Sequence, residues 1–260
     1  MSMFVVTDSL AQDCHSNGFP RPSTMTVSAN VPWYGTIKYF LEILAALVLL
    51  VMTLPLLLLA MLLVKLTSRG PAIYLQTRVG RGGLPFTIYK IRTMTHNCES
   101  LTGAQWSRPG DTRVTALGRW LRRSHIDELP QLWNVLRGDM SLIGPRPERP
   151  EFVPRLEQMI PQYGQRLNVR PGVTGLAQVQ LPPDTDLESV CTKLAYDLHY
   201  VKHVNFVLDM RIYWATLCKM FGMPFCMIQK LFQFPPREVL EREYQDLCTA
   251  GQEPQNATLS

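Results

Sequence analysis

Residues 44–64 read LAALVLLVMTLPLLLLAMLLV, 21 residues without a charge and with Thr53 as the one polar side chain. Coiled as an α-helix, a run of this length is roughly 31 Å long, close to the hydrocarbon thickness of a bilayer. That excludes an ordinary soluble enzyme. A cleaved signal peptide is excluded too, because the run starts late, is too long and has no basic segment before it. Pro55 stands in the middle of the run. A proline there removes one helical hydrogen bond and clashes with the preceding turn, at a cost of about 3 kcal/mol, and Thr53 is placed to serve backbone groups freed by the break. Two topologies follow. One is a kinked spanning helix. The other is a re-entrant helix whose arms, about 11 residues and roughly 16 Å each, reach half-way through the core and return to the same leaflet. Lys65, Arg69, Arg78 and Arg81 follow the run and only Lys38 closely precedes it, which places the following segment in the cytosol under either topology.

Working outward, the 260 residues are 46% hydrophobic and 18% charged, the opposite of a disordered composition. Twenty prolines without a glycine period exclude a fibrous chain. The net charge of +5 is modest, so the placement of the cations matters more than their number. Six scattered cysteines with no C-x-x-C pattern predict reduced thiols, with neither a disulfide framework nor a zinc motif. The organisation reads as a polar mobile tail (1–36), a membrane helix (37–66), a catalytic domain (67–222), an amphipathic interface segment (223–244) and a second mobile tail (245–260). Short strands are expected at 72–76 and 86–91, a polar loop at 95–112, helical periodicity over 114–137 and a helical piece near 151–159. Leu187, Val190, Leu194, Leu198 and Val201 form one helical stripe. Over 206–234, aromatic and aliphatic residues are interrupted by Arg211, Lys219 and Lys230, which suits a helix in the headgroup plane; a buried core helix is the alternative. The fold class is α+β and mainly helical: a membrane helix followed by a small cytosolic catalytic domain with short strands and membrane-interface helices.

The densest chemistry lies in 111–147, DTRVTALGRWLRRSHIDELPQLWNVLRGDMSLIGPRP. Four arginines (Arg113, Arg119, Arg122, Arg123) precede the adjacent acids Asp127 and Glu128. Pro130 is tolerated only in a first helical turn, so a helix from Asp127 to Arg137 is expected, with Gly138 just past its end. Asp127 then sits where the helix dipole favours anions. The plain reading is that Asp127 is a cap and Glu128 a first-turn acid, with Ser124-x-x-Asp127 resembling a capping box. The functional reading rests on the combination. Two carboxylates, several cations, Gly/Pro turns and a membrane anchor suit a diphosphate, a divalent cation and a lipid phosphate.

The ordered motifs resemble the bacterial sugar transferase family, the monotopic polyprenyl-phosphate phosphoglycosyl transferases. They are Lys90-Ile91-Arg92-Thr93-Met94, Asp127-Glu128-Leu129-Pro130-Gln131-Leu132, Asn134 through Leu142, Gly144-Pro145-Arg146-Pro147, Arg170-Pro171-Gly172-Val173-Thr174-Gly175 and Tyr196-Asp197-Leu198-His199-Tyr200-Val201. The likeness covers about residues 37–222 and marks a short form of the family. It implies the re-entrant topology, with Pro55 as the helix break. It also implies a covalent reaction in which Asp127 attacks the β-phosphate of a UDP-sugar, UMP leaves, and polyprenyl (undecaprenyl) phosphate takes the phosphosugar. Glu128 would be the Mg²⁺ ligand, and Lys90, Arg92, Arg122 and Arg146 would contact the diphosphate or the lipid phosphate. The implied partners are UDP-sugar, polyprenyl phosphate, the bacterial inner membrane at its cytoplasmic face and downstream glycosyltransferases. A homodimer is left open, and nucleic acid is not expected. The product would initiate exopolysaccharide, capsule, O-antigen or glycoprotein glycan assembly. Three positions depart from the family pattern: Glu42 replaces a common Asp, Leu54-Pro55 replaces Ser-Pro, and His125 replaces a small or apolar residue. Two other functions share the same residues: a Mg²⁺-dependent diphosphate hydrolase and a non-catalytic membrane adaptor.

Overall fold

The structure is a computed structural model and describes residues 32–98, 110–183 and 186–250. It opens with helix α1, Pro32–Thr67, 36 residues and about 54 Å if straight. One face of α1 lies on the rest of the protein along its whole length: Tyr34, Ala46, Leu57, Ala60 and Val64 are buried. From Ala46 onward these positions keep close to a 3.6-residue period. The opposite face is bare, with Leu44, Val51, Met52, Leu58, Leu59 and Leu62 exposed.

Both ends of α1 are fastened to the same body. At the N-terminal end, Tyr34 Oη donates to Asp209 Oδ2 (2.5 Å), and Lys38 Nζ donates to Asp209 Oδ2 (2.7 Å) and to the Ile143 carbonyl (3.0 Å). Glu42 accepts from Ser141 Oγ (2.6 Å) and from the Ile143 amide (3.3 Å). Near the other end, Leu57, Ala60 and Val64 pack with Ile91, Leu121 and Ile126. The helix runs through Pro55, which has no N–H to offer the Val51 carbonyl. Thr53 does not take over that role: its hydroxyl donates to the Leu49 carbonyl (2.7 Å).

A hairpin follows. Strands β1 (Ile73–Val79) and β2 (Pro85–Ile91) pair antiparallel, with Ile73 opposite Ile91 and Val79 opposite Pro85. Gly82 and Gly83 at the turn take φ of 67° and 81°, which side-chain-bearing residues rarely adopt. Helix α2 (Ala116–Arg123) is capped by Thr115, whose Oγ1 accepts from the Gly118 amide (2.9 Å). Gly118 is required there, because a Cβ would lie 2.0 Å from the Thr93 carbonyl oxygen. After a 3₁₀ turn at Ile126–Glu128 comes α3 (Gln131–Leu136). Fully buried Asn134 ties α3 to the outer edge of β2, accepting from the Tyr89 amide (3.2 Å) and donating to the Thr87 carbonyl (2.7 Å).

Short parallel strands β3 (Ser141–Ile143) and β4 (Gly172–Thr174) bring the Gly144 and Gly172 turns together. The approach is so close that a Cβ on Gly172 would lie 2.1 Å from the Gly144 nitrogen. The remaining helices are α4 (Val153–Met159), α5 (Leu176–Gln180), α6 (Leu187–His203), α7 (Phe206–Met220), α8 (Phe225–Leu231) and α9 (Arg237–Ala250). Their core is built from Leu176, Val179, Tyr196, Tyr200, Ile212 and Ile228, with Phe234 and Leu240 from the chain's end.

Several expectations need correction. The membrane helix begins at Pro32 rather than 37; residues 1–31 of the expected N-terminal tail lie outside the described residues. The segment 223–244 is not merely an interface strip, because Ile228, Phe234 and Leu240 are core residues. The second tail begins later than 245, because α9 continues to Ala250 and Leu247 packs against the α4–α6 cluster. Most of the expected polar loop (99–109) lies outside the described residues. Over 206–234 Leu208, Ile212 and Ala215 face the core, as the buried-helix alternative expects, while Phe206, Trp214 and Phe221 are exposed.

Candidate active site

Asp127 and Glu128 do not begin a long helix. His125 takes a left-handed conformation (φ 56°), which ends the preceding run and turns the chain into the 3₁₀ turn that carries both acids. Pro130 then starts α3 afresh, as its missing N–H allows. Ser124 is not a cap for Asp127. Its Oγ donates backwards, to the Trp120 and Leu121 carbonyls (3.0 and 3.1 Å).

The two carboxylates have different surroundings. Glu128 Oε1 accepts from Lys90 Nζ on β2 (3.0 Å) and from Arg146 Nη2 in the Gly-Pro-Arg-Pro turn (2.5 Å). Its Oε2 has only longer contacts, 3.5 Å to Arg146 Nη1 and 4.0 Å to His125 Nδ1. Burial pushes the Glu128 carboxyl up, but Arg146 and Lys90 outweigh it and hold the group well below the usual carboxylate range. Asp127 is also buried, and among the described residues its carboxylate takes no hydrogen bond or ion pair. Burial, with the adjacent Glu128 charge, raises it to about 6; Lys90, Arg122 and Arg146 only partly offset this. One acid is therefore held as an anion by a clamp, and the other is buried without one.

Arg146 is itself held. Arg166 donates to its carbonyl (2.7 Å), and Arg166 is anchored by Asp197 (2.7 Å) in a pair about 4% and 3% exposed. On the other flank, Arg78 Nη1 donates to the Pro147 carbonyl (3.1 Å). Arg122 Nε donates to Thr93 Oγ1 (2.8 Å). Lys90 and Arg146 thus meet the acid pair at Glu128, and the Arg122 charge acts on Asp127. Arg92 does not join them. It is buried at the end of α1, where its Nη2 donates to the Ser68 carbonyl (3.0 Å) and to Ser68 Oγ (2.7 Å). A guanidinium there meets the negative end of the helix dipole, so Arg92 anchors α1 rather than facing the acids.

The structure adds one cation that sequence reading assigned to the membrane interface. Lys219, on α7, donates to the Gln178 carbonyl (2.5 Å) and interacts electrostatically with Arg146 and Glu128. Its signal in the sequence was a lysine set in an apolar aromatic helix, a pattern that fits an interface lysine equally well. The site therefore pairs two carboxylates with Lys90, Arg122, Arg146 and Lys219, a cationic excess that suits a substrate carrying several negative charges.

A model described as bacterial sugar transferase matches residues 33–223, the span that holds α1, the hairpin, the acid pair and the clamp. The chain belongs to the bacterial sugar transferase family. Among its relatives in that family, a UDP-N-acetylgalactosamine-undecaprenyl-phosphate N-acetylgalactosaminephosphotransferase of Aeromonas hydrophila is 45% identical over 186 residues, 72% of this chain and 44% of the relative. A UDP-glucose:undecaprenyl-phosphate glucose-1-phosphate transferase of Caulobacter vibrioides is 46% identical over 182 residues, 69% of this chain and 68% of the relative. An exopolysaccharide production protein of Rhizobium leguminosarum is 39% identical over 186 residues, covering 93% of that relative. The chain thus spans under half of the Aeromonas relative. The family match ends inside the α7–α8 turn, so α8 and α9 lie beyond it.

Proposed function

We propose that this bacterial sugar transferase moves a sugar phosphate from a UDP-sugar to polyprenyl (undecaprenyl) phosphate, releases UMP, and so starts the assembly of an exopolysaccharide or related glycan. The observation that carries the reading is the division of the acid pair: Glu128 is clamped by Lys90 and Arg146, while Asp127 is buried, unclamped and raised to about 6. A carboxylate left this way can act as a nucleophile and divide one displacement into two. An Asp127 oxygen attacks the β-phosphorus, and the bond from that phosphorus to the UMP oxygen breaks. UMP leaves with the electron pair. An oxygen of the lipid phosphate then attacks the same phosphorus and releases Asp127. Lys90, Arg122, Arg146 and Lys219 offset the charge that gathers on the phosphoryl oxygens. The same cations lower the repulsion an anionic nucleophile meets on approaching a diphosphate.

Family resemblance adds Mg²⁺. The donor fits, since Glu128 Oε2, a hard oxygen, retains only long contacts. Glu128 would hold the ion, which would supply positive charge to the diphosphate when bound. The relatives' names cover both N-acetylgalactosamine and glucose donors, so they favour no one sugar here.

The membrane reading is that α1 enters and leaves by the cytoplasmic leaflet of the inner membrane. What supports it is the packing of both α1 ends on one polar domain. A straight span would carry Tyr34 and Lys38 to the far side of the bilayer, away from Asp209. The bare apolar face of α1 and the exposed Phe206, Trp214 and Phe221 would then share one lipid boundary.

The test uses detergent-purified full-length protein with polyprenyl phosphate, Mg²⁺ and a panel of UDP-sugars, scored for UMP release and, by intact mass, for a phosphosugar adduct. Asp127→Asn should lose both signals, and Glu128→Gln should lose most turnover along with its Mg²⁺ response. Turnover by Asp127→Asn within about tenfold of wild type would refute the nucleophile assignment. UMP release that continues without lipid phosphate would favour a hydrolase.

A further inference from the structure

Away from the acid pair, the last turn of α6 and the middle of α9 bring two histidines and a glutamate together. His199 and His203 lie four residues apart, so they stack on successive turns of α6 with ring centroids 4.3 Å apart. Glu243 reaches them from α9. His199 Nδ1 is 2.7 Å from Glu243 Oε2, and His203 Nδ1 is 3.8 Å from Glu243 Oε1. One ligand-type atom from each of the three residues falls within 4.8 Å of the others.

We propose that His199, His203 and Glu243 form a binding site for a borderline divalent transition metal of the Zn²⁺ type, one that clasps α9 to α6. Zinc holds nitrogen and oxygen ligands at about 2.0–2.1 Å in a tetrahedron, which sets the ligand atoms about 3.3 Å apart. His199 Nδ1 and His203 Nδ1 face different oxygens of Glu243, at 2.7 and 3.8 Å, and one ligand-type atom from each residue lies within 4.8 Å of the others, so closing the site draws the three side chains together onto one ion. Two imidazoles and one carboxylate leave a fourth position for water. Imidazole donors select against Mg²⁺ and Ca²⁺, so this site does not compete with the acid pair for its ion. Binding takes His199 as the neutral ring with its proton on the nitrogen that does not face the ion, and His203 Nδ1 gives up its contact with the His199 carbonyl (3.0 Å). Lys202 occupies one Glu243 oxygen (2.8 Å), but its side chain is 46% exposed and can swing into water.

The location gives the site a purpose. His199 and His203 stand within the family-matched region, while Glu243 stands on a helix beyond it. A bound ion would lock the added C-terminal helix onto the helix that also carries Asp197 and Tyr200, and those residues support Arg166 and the Asp209 network.

The test is calorimetric titration of metal-stripped, detergent-solubilised full-length protein with ZnCl₂ in excess Mg²⁺, with thermal unfolding followed in parallel. One equivalent should bind and raise the unfolding temperature. His203→Ala and Glu243→Gln, both changes to partly exposed side chains, should each weaken binding by about tenfold or more and abolish the thermal shift. Asp127→Asn should bind zinc like wild type. Absence of stoichiometric binding would overturn the proposal. So would unchanged binding in the His203→Ala/Glu243→Gln double variant, which would place the ion on cysteines or on the acid pair.

Discussion

Replacing Asp127 by Asn should remove catalysis and make the protein more stable. In the folded state the Asp127 carboxyl is raised from its ordinary 3.8 to about 6. Between those values the folded protein retains a proton that the unfolded chain has released. Stability therefore falls as pH rises through this window, and the full loss is present above about pH 7. A shift of about two units corresponds to about 3 kcal/mol at roughly 1.4 kcal/mol per unit. Asparagine keeps the shape of the side chain and carries no charge, so it should recover most of that energy. For a chain of this size the gain is about 8 °C in unfolding temperature. The assay is thermal unfolding of wild type and Asp127→Asn in detergent at pH 4, 5, 6 and 7.5. The difference should be near zero at pH 4 and grow to its full value by pH 7.5. Equal or lower stability of the variant at pH 7.5 would refute the claim that burial and Glu128 destabilise the Asp127 anion.

Three further outcomes can be checked. On the proposed reading that the Asp127 carboxylate attacks, kcat/KM should fall with a slope of one proton below about pH 6, and a profile flat down to pH 4.5 would place the nucleophile elsewhere. Arg166→Met should cost about 3–5 kcal/mol in denaturant unfolding, since it strands the buried Asp197 charge; a loss under 1 kcal/mol would mean that the pair is not held as an ion pair. A single reporter cysteine in residues 2–10, with native cysteines replaced, should resist a membrane-impermeant thiol reagent in intact cells, because Tyr34 and Lys38 keep that end of α1 beside Asp209. Pro55→Leu, which restores one helical hydrogen bond, should permit partial labelling, and labelling of the wild type would refute the re-entrant topology.

The local signals in the sequence located their elements well. An uncharged run of 21 residues could only be a long apolar helix, and β1 and β2 lie where glycines bracket β-branched and aromatic residues. Asp127, Glu128, Lys90, Arg122 and Arg146 were picked out by ordered motifs that resemble the family, whereas residue type alone left a cap, a first-turn acid and solvated cations as the plain reading. Where the reading failed, the deciding contact was distant along the chain. The helix expected from Asp127 begins only at Gln131, because both acids sit on a 3₁₀ turn that the chain enters through left-handed His125. Arg92 looked like a phosphate ligand two residues from Lys90, but it lies just past the end of β2 at Ile91, and it meets Ser68 at the end of α1 instead. The same limit holds for the acids. They are adjacent in sequence and chemically alike, and only folding sets Arg146 and Lys90 on one and burial on the other. Whether α1 crosses or returns was equally undecided by its own residues. The packing of its N-terminal end rests on Asp209, Ser141 and Ile143, roughly a hundred residues or more away, which only the tertiary structure brings to Tyr34, Lys38 and Glu42. Hydrophobic period and turn chemistry act over a few residues and so can be read directly; charge state and topology arise from long-range desolvation and pairing, which exist only once the chain has packed.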